Sequence, residues 1–130
     1  MARISKGAVG EVLAARYLRK HKYTILAANY RSRFGEIDII AANKKYIAFV
    51  EVKQRGRAAI YTPQEAVTLV KQRKIRRTAM LYLQTHSDIA LQPRFDVISI
   101  VMEDGDDPML VKELTHFPAA FEAGEMYETF

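Results

Sequence analysis

Apolar residues recur along this chain with two different periods. Between residues 6 and 21, Val9, Leu13, Ala14, Tyr17 and Leu18 form one arc and Arg16, Arg19 and Lys20 lie mostly opposite, which predicts an amphipathic helix. Short β-favouring runs follow: Thr24 to Tyr30 within a strand from Tyr23 to Arg31, then Ile37 to Ala42 and Tyr46 to Val52, the last two joined by the polar Asn43-Lys44-Lys45. The joined pair predicts a β-hairpin. Thr62-Pro63-Gln64-Glu65 predicts a helix start, with Thr62 as N-cap, Pro63 in the first helical position and Glu65 as the reciprocal capping residue. That helix is expected to run through Ala66, Val67, Val70, Ile75, Ala79 and Leu83 to about Thr85. Phe95 to Met102 is apolar on both faces and predicts a central strand, parallel to the hairpin strand because a helix connects them. Asp104 to Pro108 predicts a turn, Met109 to Thr115 an edge strand, and residues 116–130 a C-terminal tail with Phe117, Phe121, Tyr127 and Phe130 among acids. The order is αβββαβ, an α/β fold with a mixed central sheet flanked by helices.

The charges on the hairpin change the picture. Side chains alternate across a strand, so Glu36 and Asp38 share a face, as do Glu51 and Lys53. With Asn43 and Lys44 as the loop, Asp38 lies opposite Phe49 and diagonal to Glu51, and Glu36 falls opposite Glu51. A three-residue loop would put Glu51 and Lys53 on the other face from Asp38, so convergence requires an even loop or a bulge. Like charges opposite one another destabilise a sheet, and a divalent cation between the carboxylates would remove that penalty. A bare Glu-x-Lys is common, about one per 250 residues by composition. The weight lies in its context: an aspartate on the adjoining strand, an apolar lead-in from Tyr46 to Val50 and a basic exit loop. The alternative is a solvated hairpin face with a surface ion pair between Glu51 and Lys53.

At 130 residues the chain forms one domain, residues 1–130, with room for a single core. It has no cysteine, which excludes a disulfide framework and thiolate chemistry, and His21, His86 and His116 are scattered without zinc-ligand spacing. No apolar run follows the basic N-terminus and none approaches the length of a membrane span, so a soluble cytoplasmic protein without a membrane partner is the expectation. Charge is split along the chain. Residues 1–77 hold eighteen Lys and Arg against five acids, a balance of +13, and residues 78–130 hold two against ten, −8. A strongly basic segment attracts polyanions, which makes nucleic acid the expected partner; ordinary solvation of helix faces is the alternative.

Three of the five acids in the basic segment sit in the hairpin and Glu65 caps a helix, leaving Glu11. Glu11 lies near the apolar margin of the first helix, as a further carboxylate aimed at the hairpin or as the partner of a Lys or Arg. Gly7 and Gly10 nearby permit close approach of another backbone or a phosphate. Arg31 and Arg33 lead into the hairpin, Gln54-Arg55-Gly56-Arg57 leaves it, and Lys71, Arg73, Lys74, Arg76 and Arg77 crowd one helix, suggesting a surface that tracks a phosphate backbone. Asp96 either touches the site or bonds Arg94.

Gly10-Glu11 before Ala14, Tyr17 and Leu18, Asn29-Tyr30-Arg31, Gly35-Glu36-Ile37-Asp38, Phe49-Val50-Glu51-Val52-Lys53, Lys71 and Arg94-Phe95-Asp96-Val97 together carry a resemblance. From Lys6 to about Val101 the chain resembles the small bacterial YraN-like proteins, an uncharacterised family related to archaeal Holliday-junction resolvases and the PD-(D/E)xK restriction-endonuclease-like superfamily. The proline usual before the aspartate is Ile37 here. The resemblance implies a restriction-endonuclease-like core, with Asp38, Glu51 and Lys53 at the catalytic positions and Glu11 matching the helix glutamate of resolvases. It further implies a metal-dependent DNA endonuclease acting on branched or damaged DNA. Mg²⁺ or Mn²⁺ would be held by Asp38, Glu51, the Val52 carbonyl and, through water, Glu11; Lys53 would orient the attacking water. Arg31, Arg33, Arg55, Arg57, Lys71 and Lys74 would hold the backbone. Resolvase relatives suggest a homodimer, although no residue here singles out a dimer surface. Rival expectations are a catalytically silent nucleic-acid-binding module and an interaction protein working through the acidic aromatic tail.

Overall fold

A computed structural model describes residues 6–55, 67–102 and 111–122. Among these residues the chain forms α1 (Lys6–Lys20), β1 (Thr24–Ser32), β2 (Gly35–Ala42), β3 (Tyr46–Arg55), α2 (Leu69–Thr85), β4 (Gln92–Met102) and β5 (Val111–Phe121). The strands lie in chain order in one mixed sheet, antiparallel except for β3 beside β4, which is parallel. The α2 crossover between β3 and β4 accounts for the single parallel pairing. No described helix is long and apolar enough to cross a membrane.

Each face of the sheet buries its own cluster. Ala14 and Leu18 of α1 pack on Ile39, Ala41, Ala48, Val50, Ile98 and Ile100. On the other side Ile75, Ala79, Met80 and Tyr82 of α2 pack on Ile37, Ile40, Ile47, Phe49, Phe95 and Val97. The small Ala41 and Ala48 beneath α1 leave room for its side chains, whereas the α2 side is filled by rings, with Phe49 stacked on Phe95 at 5.5 Å. β3 alternates strictly through Ile47, Ala48, Phe49 and Val50, so Glu51 and Lys53 continue on the α2 side.

β2 does not alternate strictly. Ile37 and Ile40 both join the α2 cluster while Ile39 faces α1, so the pattern breaks at Asp38. β1 breaks at the same level: Ala27 and Tyr30 both pack toward α2, and Asn29 between them has a φ of 52°. Asparagine tolerates this left-handed conformation better than most residues. Pairing of Ala28 with Ile39 and of Tyr30 with Ile37 places Asn29 beside Asp38, and both strands turn together there.

Three expectations need correction. The second helix does not run unbroken from Thr62: Val67 and Thr68 are non-helical, and Thr68 is the N-cap, accepting a hydrogen bond from the Lys71 amide. Val67 is instead buried in the core and its carbonyl accepts from the Gln72 side chain at 2.9 Å. The capping signal at Thr62 to Glu65 lies outside the described residues. β4 begins at Gln92, three residues earlier than Phe95, because the Gln92 amide bonds the Lys45 carbonyl. β5 continues to Phe121, so His116 to Phe121 belong to the sheet rather than to a tail.

Asp96 explains that continuation. Its carboxylate is fully buried and accepts from Arg94 Nε and Nη2 at 2.8 and 2.7 Å, from His116 Nε2 at 2.8 Å and from the Ala119 amide at 3.0 Å. Burial alone would raise its pKa; the His116, Arg94 and Ala119 hydrogen bonds outweigh burial and hold it below the usual carboxylate range. Asp96 is therefore a structural anchor bonded to Arg94, the second of the two roles open to it.

Candidate active site

The turn between β2 and β3 positions the carboxylates. Ala42 pairs with Ile47, Ala41 with Ala48, Ile40 with Phe49 and Ile39 with Val50, and the Asn43 amide donates to the Tyr46 carbonyl at 3.0 Å, which closes the turn around Lys44 and Lys45. Asn43 organises it: its side-chain oxygen accepts from the amides of Lys45 and Tyr46 at 2.9 and 2.8 Å. The loop is even, as convergence requires, but centred on Lys44 and Lys45 instead of Asn43 and Lys44. Continuing the register sets Asp38 level with Glu51 rather than Phe49.

Asp38 turns toward β3, and its Oδ2 accepts from the Val52 amide at 2.8 Å. Val52 lies between Glu51 and Lys53, so one bond ties the aspartate to the Glu-x-Lys segment. Burial first, then the Glu51 charge and more weakly that of Glu11, push the Asp38 carboxyl up to about 7; the Val52 amide and Lys71 oppose them. Glu51 is only 5% exposed. Lys71 Nζ stands 2.5 Å from its Oε1, and Lys53 Nζ 3.7 Å from the same atom. Burial, followed by the neighbouring Lys71 cation, lowers the Lys53 amine below its ordinary range. Burial would lower Lys71 too, but its hydrogen bond to Glu51 and the charges of Glu51 and Asp38 prevail and raise it. Two carboxylates thus share the site with one strongly held and one weakened ammonium.

Asp38, Glu51 and Lys71 line a cleft of about 340 Å³ between the hairpin and the start of α2, with Gly35, Glu36 and Lys74 at its wall. Gly35 permits the approach, since a Cβ there would stand 3.3 Å from the Lys74 Cβ. Glu11 reaches the cluster through its charge on Asp38. α1 comes close to β3 beside it: a Cβ on Gly10 would lie 2.7 Å from Gln54 Oε1, so only glycine fits without displacing that side chain. Among the described residues no three Asp, Glu or His side chains form a ready metal cage. Asp38 and Glu51 bring two carboxylates to the cleft, with Glu36 at its wall. Magnesium is commonly held by one or two carboxylates and completes its shell with water, so this oxygen set suits it.

The remaining basic residues divide. Arg31 is exposed and lies 3.8 Å from Glu36. Arg33 lies over the Phe34 ring at the turn, Arg55 closes β3 half-buried, and Lys74 stands on the cleft wall. Arg57 lies outside the described residues. Arg76, expected on a phosphate-tracking face, is buried and donates to the Glu122 carbonyl at 3.4 Å. Lys71, expected among the phosphate contacts, is drawn into the carboxylate cluster. Its spacing could have shown this, because Lys71, Ile75, Thr78, Ala79 and Tyr82 share the helix face turned to the sheet.

Fold and cleft together define a small mixed α/β protein whose central hairpin presents a buried glutamate and a half-buried aspartate countered by lysines. The chain belongs to the uncharacterised protein family UPF0102, whose model matches residues 10–100 and so takes in most of α1, β1, the hairpin, α2 and most of β4. It is 44% identical to a UPF0102 protein of Acetivibrio thermocellus over 116 residues, 88% of this chain and 89% of that one. A UPF0102 protein of Syntrophotalea carbinolica is 47% identical over 120 residues, 92% and 94% of the two chains, and one of Nocardia farcinica is 45% identical over 115 residues, 88% and 87%.

Proposed function

We propose that this protein is a metal-dependent nucleic-acid phosphodiesterase with a restriction-endonuclease-like core, a DNA endonuclease acting on branched or damaged DNA in repair or recombination. The observation that carries the reading is the meeting of Asp38, Glu51 and Lys71 in one cleft, with the Lys53 ammonium 3.7 Å from Glu51 and a strongly basic helix alongside. Asp38 and Glu51 would hold Mg²⁺ or Mn²⁺, with the Val52 carbonyl and, through water, Glu11 as further ligands. The bound ion would supply polarisation of the scissile phosphate and acidification of a water.

The protein's own groups account for the rest. Glu51, held by β3, and Asp38, held by the Val52 amide, fix the acid pair without the entropy cost of ordering two mobile side chains. Lys53, with its lowered amine pKa, would orient the attacking water or stabilise charge developing on the phosphate oxygens. Lys71 and Lys74 would bind the phosphate entering the cleft, and Arg31, Arg33, Arg55 and Arg57 the backbone on either side.

The 2.5 Å pairing of Lys71 with Glu51 favours a second reading, in which the acids serve only to hold lysines for phosphate binding and the domain is a silent nucleic-acid-binding module. One experiment separates the two. Purified protein is incubated with labelled branched, nicked, single-stranded and duplex DNA, and with RNA, in Mg²⁺, Mn²⁺ or EDTA. Metal-dependent cleavage of any substrate supports the enzyme. Salt-sensitive binding without cleavage under all conditions supports the module.

A further inference from the structure

A second basic feature stands just outside the cleft. The guanidinium carbons of Arg33, in the β1–β2 turn, and Arg77, in α2, lie 5.0 and 5.5 Å from the centre of the Phe34 ring. Both arginines are exposed. They come from separate elements and converge on one ring despite their like charge, which the negative ring face partly offsets. Stacking on an aromatic ring also restricts the long side chains, so less freedom is lost when the forks grip an anion.

The turn carrying them is fixed to α2. Ser32 Oγ and Thr78 Oγ1 are 2.9 Å apart, and the Phe34 amide donates to Ser32 Oγ at 3.0 Å. Gly35, next in the chain, and Lys74, one turn before Arg77, both line the cleft. The arginine pair is therefore continuous with the cleft wall. The nearby Glu36 lies within ion-pair distance of a different residue, Arg31.

We infer that Arg33 and Arg77, stacked on Phe34, form a phosphate clamp that grips the nucleic-acid backbone immediately outside the acid–lysine cleft. The identity of the ligand rests on the nucleic-acid reading above; the clamp itself rests on the Phe34 geometry. A planar fork matches the paired oxygens of a phosphodiester, and two forks beside Lys74 suit successive phosphates of one strand. The contact positions the strand and is indifferent to base sequence.

The test measures binding in EDTA, so it does not depend on cleavage. Affinity of the full chain for a fluorescent branched DNA and a fluorescent duplex is followed over a salt series for wild type, the double variant Arg33→Ala/Arg77→Ala, and a charge-matched control, Arg16→Ala/Arg19→Ala, on the exposed face of α1. Each lost duplex phosphate contact removes about 0.9 from the slope of log K against log salt. The clamp variant should lose about 1.8 and bind at least about tenfold more weakly at low salt, while the control keeps the wild-type slope. Phe34→Leu, which retains both charges, should also weaken binding. Equal slope losses in clamp and control variants would overturn the clamp while leaving the cleft's function standing. A wild type that binds no nucleic acid would overturn both. Unchanged DNA binding by the clamp variant, with loss only of its retention on phosphatidylserine vesicles, would reassign the surface to lipid and overturn the inference.

Discussion

Lys71 Nζ lies 2.5 Å from Glu51 Oε1, joining the first turn of α2 to the acid pair on the hairpin. In effect the lysine is the resident counterion of the two carboxylates. A divalent ion bound by Asp38 and Glu51 has to compete with it.

Removing that competitor should favour metal. Lys71→Met is expected to bind Mn²⁺ about 3–10-fold more tightly than wild type by titration calorimetry, since tenfold corresponds to about 1.4 kcal/mol. The same variant should bind DNA more weakly. Metal affinity that is unchanged or reduced would show that Lys71 assists the cation and does not exclude it.

The acid pair and Lys53 have separable effects on chemistry and binding. Asp38→Asn, Glu51→Gln and Lys53→Ala should each slow single-turnover cleavage by at least about 10²–10³-fold, the usual loss when one group stabilising transition-state charge is removed. DNA affinity in EDTA should stay within about threefold of wild type. Cleavage that survives all three changes would place the chemistry elsewhere.

The raised pKa of Asp38 has a sign that can be checked without any substrate. Its carboxyl titrates near 7 in the fold and near 3.8 in the unfolded chain, so between those values the native state binds the extra proton. Stability from this group is present below about pH 4 and is lost as pH rises through about 7. Asp38→Asn, whose side-chain oxygen can still accept from the Val52 amide, should therefore be more stable than wild type at pH 8 in EDTA by about 1–3 kcal/mol. The advantage should shrink on acidification. Thermal melts from pH 4 to 8 measure it, and a pH-independent difference would mean Asp38 is not charge-strained.

Much of the hairpin is legible in the sequence itself. The runs Ile37 to Ala42 and Tyr46 to Val52 are dense in β-branched and aromatic residues and flank a polar turn, and the even loop is the one that brings Asp38 to Glu51. What escaped the sequence depends on partners distant along the chain. β5 runs through His116 because Asp96, buried on β4, bonds it and the Ala119 amide. Thr68 caps α2 because Val67 is pulled into the core. Arg76 looks like a solvated cation in a basic run, and only packing of the helix on the sheet buries it. The loss of alternation at Asp38 is likewise shared with Asn29 on the neighbouring strand, which no local pattern announces.

Asp96 offers the sharpest contrast between a site and an anchor. Its pKa is lowered in the fold, so its stabilising effect is present above the unfolded value and lost as pH falls through the folded one. Asp96→Ala leaves Arg94, whose side chain is 13% exposed, and His116 without their shared acceptor. Breaking a buried pair by removing one partner typically costs about 3–5 kcal/mol, because the other charge stays behind uncompensated. Urea denaturation at pH 7 should show a loss of that size. Wherever the variant remains folded, its Mn²⁺ affinity should match wild type, since none of the cleft residues touches Asp96. A stable Asp96→Ala protein with impaired metal binding would move Asp96 from the framework into the active site.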